Sequence, residues 1–213
     1  MIQGIIFDVD GVLLDTVPAH FKALKQLFQH YGIPFTFDDY LTKVNGLPRA
    51  KGIANVLAGH HDKDLAKLAE QKQVYFLEYI MHTPPKPLSG VIPLLRHLDK
   101  KFTLAAASSS KNAPDLLRVS GLAKFFKVII SGNDFIKPKP DPEIFLLAAK
   151  RMDIYPQDCV VVEDAIHGIQ AAKIARMKTI GLLTSRDAAI TREADITLVS
   201  LAEKNKISTF LSL

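Results

Sequence analysis

Six short apolar runs, each closed by polar or glycine-rich residues, constrain this chain more than any other feature. They span residues 2–9, 102–107, 127–131, 159–163, 178–183 and 195–199. They show little polar alternation, which is the pattern of strands buried on both faces in a parallel sheet. Residues 114–119, 143–152 and 166–175 repeat apolar side chains at helical spacing between them. Strands alternating with helices predict the α/β class, an open parallel sheet flanked by helices. Sites in such sheets gather at the carboxyl ends of the strands.

One region breaks the alternation. From about residue 17 to 82 no strand pattern occurs, while Phe21, Leu24, Leu27 and Phe28 keep a helical period, as do Leu65, Leu68 and Ala69 and the stretch 72–79. A helical block inserted after the first strand accounts for this. Pro84-Pro85-Lys86-Pro87 then marks the return. The predicted division is a core of residues 1–15 and 84–213 and an all-helical insert of residues 16–83.

Composition narrows the function classes. With 213 residues, 48% of them hydrophobic, the chain can bury one core and a modest insertion. Lys and Arg number 27 against 22 Asp and Glu, a net charge of +5, but the basic residues are dispersed. A dispersed excess reads as a basic surface, so no nucleic-acid partner is expected, while a small anion suits a locally positive site. The single cysteine, Cys159, lies in an apolar run and can form neither an internal disulfide nor a cysteine-based zinc site. No run approaches the ~18 apolar residues of a membrane span, so no membrane partner is expected. The first residues carry no positive charge and meet Asp8 at once, unlike a signal peptide. A cytoplasmic monomer is the expectation.

The chemistry-bearing residues stand at the ends of the apolar runs. Asp8-Val9-Asp10-Gly11 closes the first, with a glycine that permits a tight turn. Carboxylates so placed suit a metal or a nucleophile, although calcium loops and plain turns use the same pattern. Ser108-Ser109-Ser110-Lys111-Asn112 closes the second run ahead of a helix, a setting for a phosphate or for a helix N-cap supplied by Ser110. Lys137-Pro138-Lys139-Pro140-Asp141-Pro142 holds two lysines in a stiff loop, and a compact ammonium suits phosphate charge. Glu163-Asp164 ends the fourth run in adjacent carboxylates, a hard-metal donor set or a solvated strand end.

These four segments, in this order, resemble the four motifs of the haloacid dehalogenase superfamily along nearly the whole chain. The resemblance implies a Rossmann-like core and a small helical cap. It further implies Asp8 as the nucleophile that takes a phosphoryl group and Asp10 as general acid/base. Ser108 would bind the transferring phosphoryl, and Lys139 would neutralise it. Asp8, Asp10, Glu163 and Asp164 would hold Mg²⁺. Lys139 is preferred to Lys137 because Lys139-Pro140-Asp141-Pro142-Glu143-Ile144-Phe145 matches the motif in register. An acid at position 10 favours phosphate chemistry, since dehalogenases of the superfamily lack it.

Further residues resemble the β-phosphoglucomutase-like branch. They are Thr16, His20 after the first hinge, Arg49 after Asn45-Gly46-Leu47-Pro48, Lys72 on a later helix, and Ser110-Lys111-Asn112. The resemblance implies contacts from these residues to a small phosphorylated substrate. Two positions depart from that branch, Gly52 and Ala165, where it carries serines. A sugar-phosphate mutase is the first expectation. A phosphatase acting on a sugar phosphate or phosphoglycolate is the second, and a non-catalytic binding protein that kept the fold is the third.

Overall fold

The structure, a computed structural model, describes residues 1–44, 49–58, 64–184 and 189–212. The chain clusters into two compact units, Met1–Asp15 with Lys86–Leu213, and Thr16–Pro85.

The larger unit is built on a six-stranded sheet of β1 (Gly4–Phe7), β2 (Thr103–Ala107), β3 (Val128–Ile130), β4 (Cys159–Glu163), β5 (Lys178–Leu182) and β6 (Ile196–Leu198). The spatial order is β3-β2-β1-β4-β5-β6 and every pairing is parallel. The strands are the predicted apolar runs, β4 at its full predicted length and the others trimmed. Val9 is lost from β1 because its carbonyl accepts from the amides of Leu13 and Leu14, which bends the chain into a turn. Helices α5 (Val91–Leu98), α6 (Ala113–Val119), α7 (Glu143–Met152), α8 (Ile166–Ile174), α9 (Ile190–Glu193) and α10 (Lys204–Leu211) complete the unit.

Ile6, Ala105, Ile130, Phe145, Val161 and Ala171 belong to one buried cluster between the sheet and its helices. Each large side chain so buried is worth about 1.5–3 kcal/mol. Cys159 joins this cluster, fully buried, and burial ahead of the nearby Asp158 pushes its thiol up to about 12. It is a core residue with no reactive character.

The strand order reverses direction between β1 and β4, the switch point at which open α/β sheets bind ligands. Phe7 pairs with Ala106 of β2 and with Val162 of β4. This register carries Asp8, Ser108 and Glu163 out of three adjacent strands at nearly one level.

The smaller unit is helical, with α1 (Val17–His30), α2 (Phe37–Lys43), α3 (Arg49–Val56) and α4 (Leu65–His82). Its core includes Leu24, Leu27, Phe28, Phe35, Ile53 and Leu68. On α4 the buried residues are Leu68, Lys72, Phe76 and Ile80, one every fourth position. Lys72 thus lies on the buried face of its helix and is not a solvated charge. Gly52 packs so close to Val44 that an added Cβ would stand 2.8 Å from the valine Cγ1 and 3.3 Å from its Cα. That crowding gives a physical reason for glycine where the resembling branch has serine.

Candidate active site

Asp8 leaves β1 with its amide bonded to the Val162 carbonyl at 3.0 Å, which fixes it beside the end of β4. Its carboxylate Oδ1 accepts from Lys139 Nζ at 2.7 Å. The same ammonium donates to Glu163 Oε1, and all three side chains are nearly buried. Glu163 is further fixed at Oε2, which accepts from the amides of Asp164 at 2.8 Å and Ala165 at 2.9 Å. Gly168 packs directly on the Glu163 carboxylate, and a side chain there would overlap it. Glu163 therefore orients Lys139 in addition to bordering the acidic cluster, a role its position in the sequence does not reveal.

Lys139 sits in the loop between β3 and α7, and Glu143 secures that loop. Its carboxylate accepts from the amides of Ile136 at 3.2 Å and Lys137 at 2.8 Å. Lys137 itself is exposed and lies 3.8 Å from Asp141, so Lys139 is the lysine that reaches the site.

Asp8, Glu163 and Asp164 each offer an oxygen such that these atoms lie within 4.8 Å of one another. Burial, opposed by Lys139 and reinforced by Glu163, Asp164 and Asp10, drives the Asp8 pKa well above the carboxylate range. Burial and then Glu163 push Asp164 up to about 7. Lys139 stays protonated, since Asp8 and Glu163 overcome the opposing effect of its burial. Three carboxylates thus face one ammonium. This hard-oxygen set with an excess of negative charge fits a divalent cation.

On the β2 side, the Ser108 hydroxyl donates to Asp10 Oδ2 at 3.0 Å and accepts from the Ser110 amide at 3.0 Å. Asp10 and Ser108 are brought together across 98 residues of chain. Ser110 is not the cap of α6. That helix starts one residue after Asn112, and the Ser110 hydroxyl instead accepts from the Asn112 amide at 3.2 Å. Asn112 is buried and Lys111 exposed. The exposed His167 contacts Gln170 on its own helix.

In the helical unit, His20 Nδ1 lies 2.8 Å from Lys72 Nζ. The ammonium has only donors, so Nδ1 accepts and the imidazole is neutral. Burial first, then Lys72 and Arg49, lower the His20 pKa well below its ordinary value. Both groups lie on Phe76, the His20 ring stacked at 4.4 Å between centroids and the Lys72 ammonium 4.4 Å from the ring centroid. Arg49, half-buried, reaches the Ala69 carbonyl at 3.5 Å. Thr16 precedes α1 and is buried. The segment Asn45-Gly46-Leu47-Pro48 that leads to Arg49 lies outside the described residues, as do His60 and His61.

The family model for haloacid dehalogenase-like hydrolases matches residues 5–182. The β-phosphoglucomutase of Bacillus subtilis is 33% identical over 215 residues, 95% of each chain. The fructose-1-phosphate phosphatase YqaB of Escherichia coli is 34% identical over 179 residues, 83% of this chain and 94% of its own. Among solved structures, β-phosphoglucomutase from Clostridium difficile superposes with a TM-score of 0.78 at 26% identity, covering 100% of both chains. The chain belongs to the haloacid dehalogenase-like hydrolase family, and it is an enzyme of that family. Among the described residues no helix is long and apolar enough to cross a membrane.

Proposed function

We propose that this enzyme is a Mg²⁺-dependent phosphotransferase that moves a phosphoryl group on a small phosphorylated sugar through an aspartyl phosphate on Asp8. The observation that carries the reading is the Asp8 carboxylate at the end of β1, 2.7 Å from the Lys139 ammonium and within a cluster of two further carboxylates. A carboxylate attacks an anionic phosphate only when cations screen the repulsion, and phosphoryl transfer is mostly positioning and charge neutralisation. Asp8, Glu163, Asp164 and the Asp10 main chain would hold Mg²⁺, which supplies that screening when bound.

An Asp8 oxygen forms the new bond to phosphorus as the bond to the sugar oxygen breaks, and Asp10 delivers a proton to that leaving oxygen. In the second half-reaction Asp10 takes a proton from the incoming hydroxyl, which attacks phosphorus and releases Asp8. Ser108 donates to the phosphoryl oxygens, with the neighbouring Ser110, Lys111 and Asn112 as further contacts. The helical unit, placed by sequence at residues 16–83, is the cap in this reading, and Thr16, His20, Arg49 and Lys72 select the sugar.

The acceptor decides between two activities. Return of the phosphoryl group to a sugar hydroxyl makes a mutase, which the 33% identity to β-phosphoglucomutase over 95% of the chain supports. Transfer to water makes a phosphatase, a reading supported by the 34% identity to the fructose-1-phosphate phosphatase. Incubation with Mg²⁺, β-glucose 1-phosphate and a trace of the 1,6-bisphosphate separates them. Glucose 6-phosphate without free phosphate is the mutase outcome, and phosphate release from several sugar monophosphates is the phosphatase outcome. Full activity in Asp8→Asn would overturn the covalent route for both.

A further inference from the structure

Thr184 follows β5 and has no part in the four motifs. Its hydroxyl bridges two loops that converge on the acidic cluster, its one proton shared between the Gly11 carbonyl at 2.6 Å and Asp164 Oδ2 at 3.2 Å. These contacts span 173 and 20 residues of sequence. Gly11, at φ +80°, allows the Asp164 carboxylate to pack directly against its Cα. The turn itself is closed by the Gly11 amide bonding to the Leu14 carbonyl at 3.0 Å. Gly11, Asp164 and Thr184 therefore form a triangle in which each fixes the other two.

We infer that Thr184 is a positioning residue for the cation site, holding the Asp164 carboxylate and the Asp10–Gly11 turn in the arrangement that receives a divalent metal. The inference rests on the cation reading given under Proposed function. A carboxylate has two oxygens, so one can be held by the hydroxyl while the other serves the metal. A ligand held by an outer hydrogen bond does not spend metal affinity on becoming ordered, and loss of such partners typically weakens metal binding ~10–100-fold. Thr184 is exposed, so removing its hydroxyl leaves the packed core untouched.

The test compares Mn²⁺ binding to the full-length protein without substrate, read by the loss of free Mn²⁺ signal in electron paramagnetic resonance. Thr184→Val keeps the side-chain shape without the hydroxyl, and its Mn²⁺ dissociation constant is expected to rise about tenfold. Thr184→Ser keeps the hydroxyl and is expected to bind within about twofold of the wild type. Both variants should unfold at the wild-type temperature, and the Mg²⁺ concentration for half-maximal turnover should rise only in Thr184→Val. Wild-type affinity in Thr184→Val, or equal weakening in both variants, overturns the inference alone. Failure of the wild type to take up Mn²⁺ overturns the cation reading and this inference with it.

Discussion

Lys139 Nζ stands 2.7 Å from Asp8 Oδ1 while it also donates to Glu163, so one buried ammonium ties the end of β1 to the end of β4. A donor fixed in a site of low dielectric stabilises developing phosphoryl charge without reorganising during the reaction. Lys139→Met is therefore expected to lower kcat by ~10²–10³, the usual loss for one such donor. Glu163→Gln should lower it less, by ~10–100-fold, because the amide still reaches Lys139 but holds it without charge. Steady-state kinetics on the two variants check the order. A Glu163→Gln loss greater than that of Lys139→Met would show that Glu163 acts chiefly through the cation.

Gly168 on α8 is placed so that any Cβ would overlap the Glu163 carboxylate. Gly168→Ala must displace Glu163, and with it the grip on Lys139. We expect a stability loss of about 1–3 kcal/mol, the usual cost of overpacking, together with a fall in kcat. Urea unfolding and turnover measured on the same preparation check this. Unchanged activity in a folded variant would mean that the Glu163–Lys139 contact can shift freely.

How far the sequence already carried this site depends on where each residue lies. Asp8, Ser108 and Glu163 were legible because each terminates an apolar run, and a parallel sheet brings run ends together. The full extent of β4 was legible for the same reason, since Cys159 to Glu163 is uninterrupted. Val9 has the apolar character of a strand residue, but its carbonyl serves the following turn. Lys72 carries a periodic signal, lying four residues from both Leu68 and Phe76, and that spacing alone places it on the buried face of α4. Thr184 carries no such mark. Its meaning arises from a contact with Gly11 across 173 residues, which no local pattern encodes.

Ser108 offers a prediction about chemistry rather than structure. Its hydroxyl gives its one proton to Asp10 at 3.0 Å. A bound phosphoryl group would compete with Asp10 for that proton. Ser108→Ala removes the donor to both, so kcat should fall by ~10²-fold. Ser108→Thr, which keeps a hydroxyl, should recover part of the rate. Rapid-quench measurement of phosphoenzyme formation locates the defect, which is expected in the phosphorylation step.

The last prediction concerns pH and the helical unit. His20 is neutral in the folded protein, accepting from Lys72 Nζ at 2.8 Å, and its pKa is driven well below 6.5 by burial and then by Lys72 and Arg49. In the unfolded chain the imidazole titrates near its ordinary value of about 6.5. Below that pH the unfolded state binds a proton that the folded state refuses, so stability falls as pH falls. The stabilisation is complete above pH ~6.5 and declines below it toward the depressed folded pKa, by at most about 1.4 kcal/mol per pH unit. His20→Gln keeps an acceptor for Lys72 but cannot titrate. Urea unfolding at pH 7.5 and pH 5.0 should therefore show a larger loss in the wild type than in the variant. Equal losses in the two proteins would mean that His20 takes up its proton in the folded state, and that the short contact with Lys72 gives way when it does.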